Sequence, residues 1–384
     1  MTTVDGRLAY VALGCLVEPG NRALGEHVIA HGSEAALRAL LDGTLSADLT
    51  GAATARMRVP DVIRLARAAL ADARRLGARI VTPADEEWPR QFDKLVTISR
   101  PHADRGDRDT FPPLCLWVRG ELPLAETLAR SVSVVGARAG SEYGEHVTAE
   151  LTHGLAVRDW TIVSGGAIGI DTAAHRGALA AGGATVSVLG CGIDRPYPAS
   201  NASLFERISE EGLLISEWPP GSVPYRHHFL IRNRVIAAAT LGTVMVEASA
   251  RSGAMQTLRR ARALGRRAMA VPGPVTSAMS VGCHMMLREE QIRLVTGWAD
   301  VLEEVGAIGA DLAPLPRGPE RDWDSLDPTS LQVLDAVPRR RGATADQIAA
   351  AAGVSVREAL RSLGLLRVHG YVVDRDGSFS LAKR

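Results

Sequence analysis

"IVSGGAIGIDTAAHRGAL", residues 162–179, runs a β-branched strand into three glycines and then into a helix opened by an acid. A turn of this shape aims backbone amides and the positive end of a helix dipole at one point, which suits a phosphate. Ser164, Gly165, Gly166 and Gly169 are therefore candidate anion ligands. Close helix-to-strand packing would demand glycine equally well. The stretch lacks the Lys-Ser/Thr of a P-loop and the G-x-G-x-x-G spacing of a dinucleotide site. Asp171 and His175 lie one helical turn apart and could form an acid/base pair, although Asp171 also stands where an N-cap belongs. Whether the phosphate is a nucleotide's or a nucleic acid's is open at this point.

Outward from this stretch, the runs "SVSVV", "TIVS", "TVSVL", "LLIS", "GTVMVE" and "RAMAV" alternate with helical segments from Ser131 onward. Strands separated by helices imply a parallel, doubly wound sheet. Ligands of such sheets bind outside the carboxyl ends of the strands. A second strand end, "SVVGARAGSEYG", places Gly136 and Arg138 ahead of a helix starting near Ser141, beside the first loop if the two strands are neighbours. Arg138 would then face the same anion; otherwise it is a surface arginine.

The richest stretch is "SEWPPGSVPYRHHFLIRNRVIAAAT" with the following "VEASARSGAMQTLRRARALGRR". Between Ser216 and Val271 stand nine arginines (226, 232, 234, 251, 259, 260, 262, 266 and 267) against two acids, Glu217 and Glu247. Phe229 sits among Arg226, Arg232 and Arg234, and a stacking ring amid cations is what single-stranded nucleic acid requires. Arg259, Arg262 and Arg266 read equally well as a solvated helix face. No lysine, metal cluster, Ser-His-Asp order or nucleophile elbow accompanies these loops, so a binding site outweighs an active site.

The whole chain has 384 residues, 46% of them apolar, and a formal charge of +1, so any nucleic-acid surface must be local. Cys15, Cys115, Cys191 and Cys283 occur singly, which points to a reducing, cytosolic setting without a structural metal. The apolar run Leu8–Val17 superficially resembles a signal-peptide core but ends in Glu-Pro-Gly-Asn. No segment approaches the ~20 apolar residues of a membrane span. Only Lys94 and Lys383 are lysines; arginine offers the better phosphate fork, though base composition of the genome would have the same result.

Residues 1–78 read as a small helical domain in which "EAALRALLDG" and "DVIRLARAALADARRLGA" each close at a glycine. "ARIVTPADEEWPRQF" and "PPLCLWVRGEL" read as two strands flanking a charged insert at 100–112. Residues 79–305 form the α/β domain, 306–325 a Pro/Gly-rich linker, and 326–384 three helices and a hairpin about Asp376-Gly377, the pattern of a winged helix. The third helix opens with a Ser355–Glu358 capping box.

The motifs "VVGARAGSEYG", "IVSGGAIGIDTAAHRGAL", "VLGCGIDRPYPASN", "GLLISEWPPG", "FLIRNRVIAA", "VEASARSGA" and "AVPGP", in this order, resemble the DNA-processing protein A (DprA/Smf) family. The resemblance is strong over about Arg79 to Glu304. It implies an extended Rossmann-like sheet, flanked by a helical head (sterile-alpha-motif or helix-hairpin-helix-like) and a winged-helix tail. It also implies a homodimer that binds and protects single-stranded DNA and loads the RecA recombinase onto it, including on strands coated with single-strand-binding protein. The family is not known for enzymatic activity, and no cofactor or metal is implied. By analogy Arg138 holds a phosphate, Arg226 contacts DNA, Phe229 stacks on a base, and Arg232, Asn233 and Arg234 match the Arg-Asn-Arg signature. Ser252 and Gly253 complete the expected interface. Gly-Ala-Arg instead of Gly-Ser-Arg, "SGAMQTL" instead of "SGSLITA", and His284 instead of asparagine depart from the pattern.

Two other readings carry their own sequence tests. A related nucleotide hydrolase would need a Pro-Gly-Gly-x-Gly-Thr-x-x-x-Glu loop, which this chain lacks. A duplex-reading regulator would place Arg357 and Arg361 in the major groove, from a tail with nine basic and six acidic residues.

Overall fold

The computed structural model describes residues 5–45, 59–98, 110–307, 311, 323, 325–339 and 341–382. Most of the 100–112 insert and most of the 306–325 linker lie outside the described residues. The chain divides into two units, 1–313 and 314–384.

In the first unit the six strands expected from Ser131 onward are all present: β3 (Ser131–Val135), β4 (Thr161–Ser164), β5 (Thr185–Leu189), β6 (Leu213–Ser216), β7 (Gly242–Met245) and β8 (Arg267–Ala270). β1 (Ala78–Val81), β2 (Leu116–Arg119) and β9 (Ile292–Leu294) complete a sheet of order β1-β2-β6-β5-β4-β3-β7-β8-β9. β1 and β2 are antiparallel additions, and every pairing from β6 to β9 is parallel. β3 to β7 are buried along their whole length, as parallel strands covered on both faces must be. Val135, Val163 and Val186 pack to one face with the helices Arg226–Ala238 and Gly253–Ala263. Val132, Val134 and Ile162 pack to the other, against the helices Glu142–Ala156 and Ile170–Ala180. The serines of β3 do not interrupt the core, because Ser133 Oγ shares a 2.6 Å hydrogen bond with Thr243 Oγ1 on β7.

The chain leaves β3 in one direction for β4 and returns to its other side for β7, so the strand order reverses between β3 and β7. That switch point leaves a crevice at the carboxyl ends of the two strands.

One expectation is corrected. The boundary at residue 78 does not separate two cores: Ala9, Leu13, Leu37 and Ala66 of the amino-terminal helices share a cluster with Trp117, Leu189, Phe205 and Leu214 of the sheet layer. Residues 6–16, which include most of the signal-like run, form a helix with Ala9, Val11, Ala12 and Leu13 buried.

The second unit holds helices Pro328–Ala336, Ala345–Ala352 and Val356–Val368 and the hairpin β10 (Val372–Arg375) and β11 (Ser378–Leu381). Val333, Ile348, Leu363, Leu366 and Phe379 form its core. Thr344 and Ser355 both head capping boxes, and Asp376 and Gly377 take positive φ in the hairpin turn.

Candidate nucleic-acid interface

The helix Arg226–Ala238 starts beyond β6, and Gly253–Ala263 starts beyond β7, so both begin at the carboxyl edge of the sheet. With the loops after β3 and β4 they enclose an open groove of about 660 Å³. Its lining includes Gly136, Arg138, Arg226, Phe229, Arg232, Asn233, Arg251, Ser252 and Gly253. A narrower pocket of about 110 Å³ adjoins it, bounded by Gly165, Ile168, Tyr197 and Pro198 and sharing Arg138, Phe229 and Arg232 with the groove.

Arg138, Arg226 and Arg251 are exposed, and among the described residues none of them has a carboxylate partner. Neither helix carries an acid in its first turn, and Tyr225 offers no side-chain cap to the first of them. Ser252 caps the second helix by accepting from the Ala254 amide at 3.2 Å, and cations placed at helix N-termini without acids oppose the helix dipole, an arrangement that an anion relieves. Phe229 is half-buried. The Arg138 guanidinium lies 5.5 Å from its ring centroid, that of Arg232 5.9 Å, and the Tyr197 ring 5.7 Å. A methyl group on Gly190 would come to 3.0 Å from that ring, so Gly190 keeps its place open.

The other half of the helix turns inward. Arg234 is wholly buried and donates two hydrogen bonds to Glu217, at 2.9 and 2.6 Å. It cannot also reach DNA phosphate, which corrects the sequence expectation: the second arginine of Arg-Asn-Arg anchors the helix to the segment after β6. Arg232 is 5% exposed and donates to the carbonyls of Gly165 at 2.8 Å and of Val188, tying the loop after β4 to strand β5. Burial lowers its pKa to about 10 against the opposing field of Asp171. Only its edge lines the groove beside Phe229. Asn233 is 9% exposed and sits in the groove wall.

The glycine loop is occupied largely by its own structure. A Cβ on Gly165 would strike the Arg232 guanidinium, one on Gly166 the Phe205 ring, and one on Gly169 the backbone of Ala137 and Arg138. Gly166 and Gly169 also need positive φ. The Ala167 amide donates to Asp171 Oδ2 at 3.3 Å and the Ile170 amide to the Ala137 carbonyl at 3.2 Å. Ser164 is fully buried and its hydroxyl donates to Val134 O, so its side chain is not a ligand. Asp171 is not the N-cap; Gly169 is, and Asp171 is the second residue of the helix, within its first turn. Burial pushes the Asp171 carboxyl up, against the pull of Arg232. His175 donates from Nδ1 to Thr185 Oγ1, whose own proton goes to Ile162 O, and burial lowers its pKa to about 3. That leaves a neutral core histidine instead of an acid/base partner for Asp171.

Two residues, one in the groove and one in the adjoining pocket, escaped the sequence reading. Arg251 was counted in the basic stretch but not singled out, and Tyr197 sits in "RPYPASN", a motif with no assigned role. Their signal is positional: each follows a parallel strand on its carboxyl side. Of the remaining arginines of this stretch, Arg267 pairs with Glu304 at 3.8 Å. Arg259 and Arg262 pair with Glu289, and Arg260 donates to Leu230 O at 2.5 Å, bracing the two helices. Ser141, at the predicted helix start, is fixed by Glu247, which accepts from its hydroxyl at 2.6 Å and its amide at 2.9 Å.

Residues 79–306 match the family described as DNA recombination-mediator protein A. A relative in Mycobacterium tuberculosis that bears the name DprA is 46% identical over 313 residues, covering 80% of this chain and 78% of its own. Protein Smf of Escherichia coli is 34% identical over 308 residues, 79% of this chain and 77% of that one. The X-ray structure of DNA processing protein A from Streptococcus pneumoniae superimposes with a TM-score of 0.60 at 31% identity, covering 80% of this chain and all of that one.

Proposed function

The chain belongs to the DNA recombination-mediator protein A family, and from that premise we propose that it binds single-stranded DNA in the groove at the carboxyl ends of β3 and β7. The observation that carries this reading is the group of three exposed arginines, 138, 226 and 251, which have no carboxylate partner among the described residues, around a half-buried Phe229. Guanidinium groups hold phosphates without reading sequence, and a ring in their midst stacks on any base. The glycine loop contributes as scaffold: Gly169 lets it press against the Arg138 turn, and its Gly165 carbonyl positions Arg232 at the foot of Phe229.

In this reading the protein protects exposed single strands in the cytoplasm, acts as a homodimer, and hands strands coated with single-strand-binding protein to the RecA recombinase without chemical change to the DNA. The carboxyl-terminal unit serves as a winged helix, with the exposed Arg357 and Arg361 on its third helix. The test is titration of a labelled unstructured oligonucleotide and of a duplex of the same sequence, with ATP and ribose 5-phosphate monitored. Tight single-strand binding with no ATP consumed and no ribose 5-phosphate released supports the proposal. Equal affinity for duplex would refute the single-strand preference, and release of ribose 5-phosphate from nucleotides would favour the hydrolase.

A further inference from the structure

Beside the groove, on the side facing the amino-terminal helices, three potential ligand atoms converge. Glu18 Oε1 lies 3.5 Å from His228 Nε2 and 3.9 Å from His227 Nε2, and the ligand atoms of all three side chains lie within 4.8 Å of one another. The residues come from distant parts of the chain. Glu18 follows the first helix, and the two histidines occupy the first turn of Arg226–Ala238.

The chemistry of His228 is the informative part. Its side chain is 3% exposed, and Nδ1 faces the Gly190 carbonyl at 3.1 Å, so Nδ1 carries a proton and donates it there. Nε2, buried, makes no hydrogen bond among the described residues. This buried nitrogen lies 3.5 Å from a carboxylate oxygen, with the exposed Nε2 of His227 3.9 Å from the same oxygen. A divalent cation placed among them would contact all three ligand atoms together.

The surroundings also fit a metal. Ligating histidines commonly donate their other N–H to a backbone carbonyl, as His228 does, and ligating carboxylates are themselves hydrogen-bonded. Trp218 Nε1 donates to the other Glu18 oxygen at 3.4 Å, and its ring stacks on His228 at 4.6 Å. Tyr225 stacks on His227 at 5.8 Å. Ligand atoms of a tetrahedral zinc site stand about 3.4 Å apart, so the 3.5 Å pair fits as it stands and His227, 58% exposed, has room to swing in.

We propose that Glu18, His227 and His228 bind a divalent transition metal, zinc being the ion that two imidazoles and one carboxylate suit. Water completes the coordination. The ion fastens the segment after the first helix to the turn that carries Arg226 and Phe229.

The test uses untagged full-length protein stripped with chelator and titrated with Co²⁺ and then Zn²⁺. One equivalent of Co²⁺ should give the visible absorption of a low-symmetry site, Zn²⁺ should bleach it, and Zn²⁺ should raise the melting temperature. Glu18→Gln and His227→Ala, both at exposed side chains, should each weaken Zn²⁺ at least tenfold with the metal-free melting temperature unchanged. Trp218→Phe, which removes only the hydrogen bond to Glu18, should weaken it about tenfold. His27 and His31, one turn apart on the helix Arg22–His31 with ring centroids 4.5 Å apart, are the rival ligands. No stoichiometric binding, or binding that survives Glu18→Gln and His227→Ala but is lost in His31→Ala, would overturn the proposal.

Discussion

The helix Arg226–Ala238 has two halves that use the same residue type for opposite ends. At its exposed start, Arg226 stands with Arg138 and Arg251 around Phe229 and has no carboxylate partner among the described residues. Two turns later Arg234 is wholly buried against Glu217, and between them Arg232 holds two backbone carbonyls. A guanidinium's fork serves as well for a buried carboxylate or a carbonyl as for a phosphate. The comparison teaches that a basic motif beside a binding loop can be the footing of a site as readily as its contact surface.

The largest expected effect lies on the buried side. Arg234→Met strands the Glu217 carboxylate without a partner, and such a loss costs about 3–5 kcal/mol. Chemical denaturation should show it as a lower midpoint at unchanged slope, and Arg234→Met combined with Glu217→Met should recover much of it. A stable Arg234→Met protein with weakened DNA binding would return Arg234 to the interface.

The next effect is pH-dependent and belongs to the same interior. His175 is neutral in the fold, with a pKa near 3, while in the unfolded chain it takes up a proton below about 6.5. Its contribution is fully present above pH 6.5 and is lost as pH falls toward 3. Between pH 7.5 and 4.5 this amounts to about 2–3 kcal/mol, at about 1.4 kcal/mol per unit. His175→Gln should flatten the acid limb of the stability profile by that amount; an unchanged limb would mean that the ring is already protonated in the fold.

On the groove side Phe229→Ala should weaken single-strand binding by about 1–3 kcal/mol with the salt dependence kept, since no charge is removed. Preserved affinity would assign the ring to packing between Gly190 and Tyr197.

The fold was legible in the sequence because its signals are local. β-Branched runs separated by helices declare a parallel sheet, and Ser141, Thr344 and Ser355 act as caps within three residues of what they cap. The strand-end position of the site follows from that topology. What stayed hidden depends on partners far along the chain. Nothing near Arg234 marks Glu217 as its mate. The glycines of residues 165–169 serve Arg232, Phe205 and the Arg138 turn, and no spacing rule separates that from a phosphate cradle. The amino-terminal helices read as a separate domain because their own periodicity is complete, yet Leu13 and Ala66 share a core with Trp117 and Phe205. Glu18 and His228 are likewise brought together only by folding.

The smallest effect per residue is the one that tests the central claim. Each phosphate neutralised on a single strand adds about 0.7 to the slope of log affinity against log salt. Single-strand affinity should therefore be measured across salt for the wild type and for Arg138→Ala, Arg226→Ala and Arg251→Ala combined. The account predicts a slope shallower by about 2 in the triple variant with an unchanged melting temperature. An unchanged slope and affinity would contradict it and move the DNA elsewhere on the molecule.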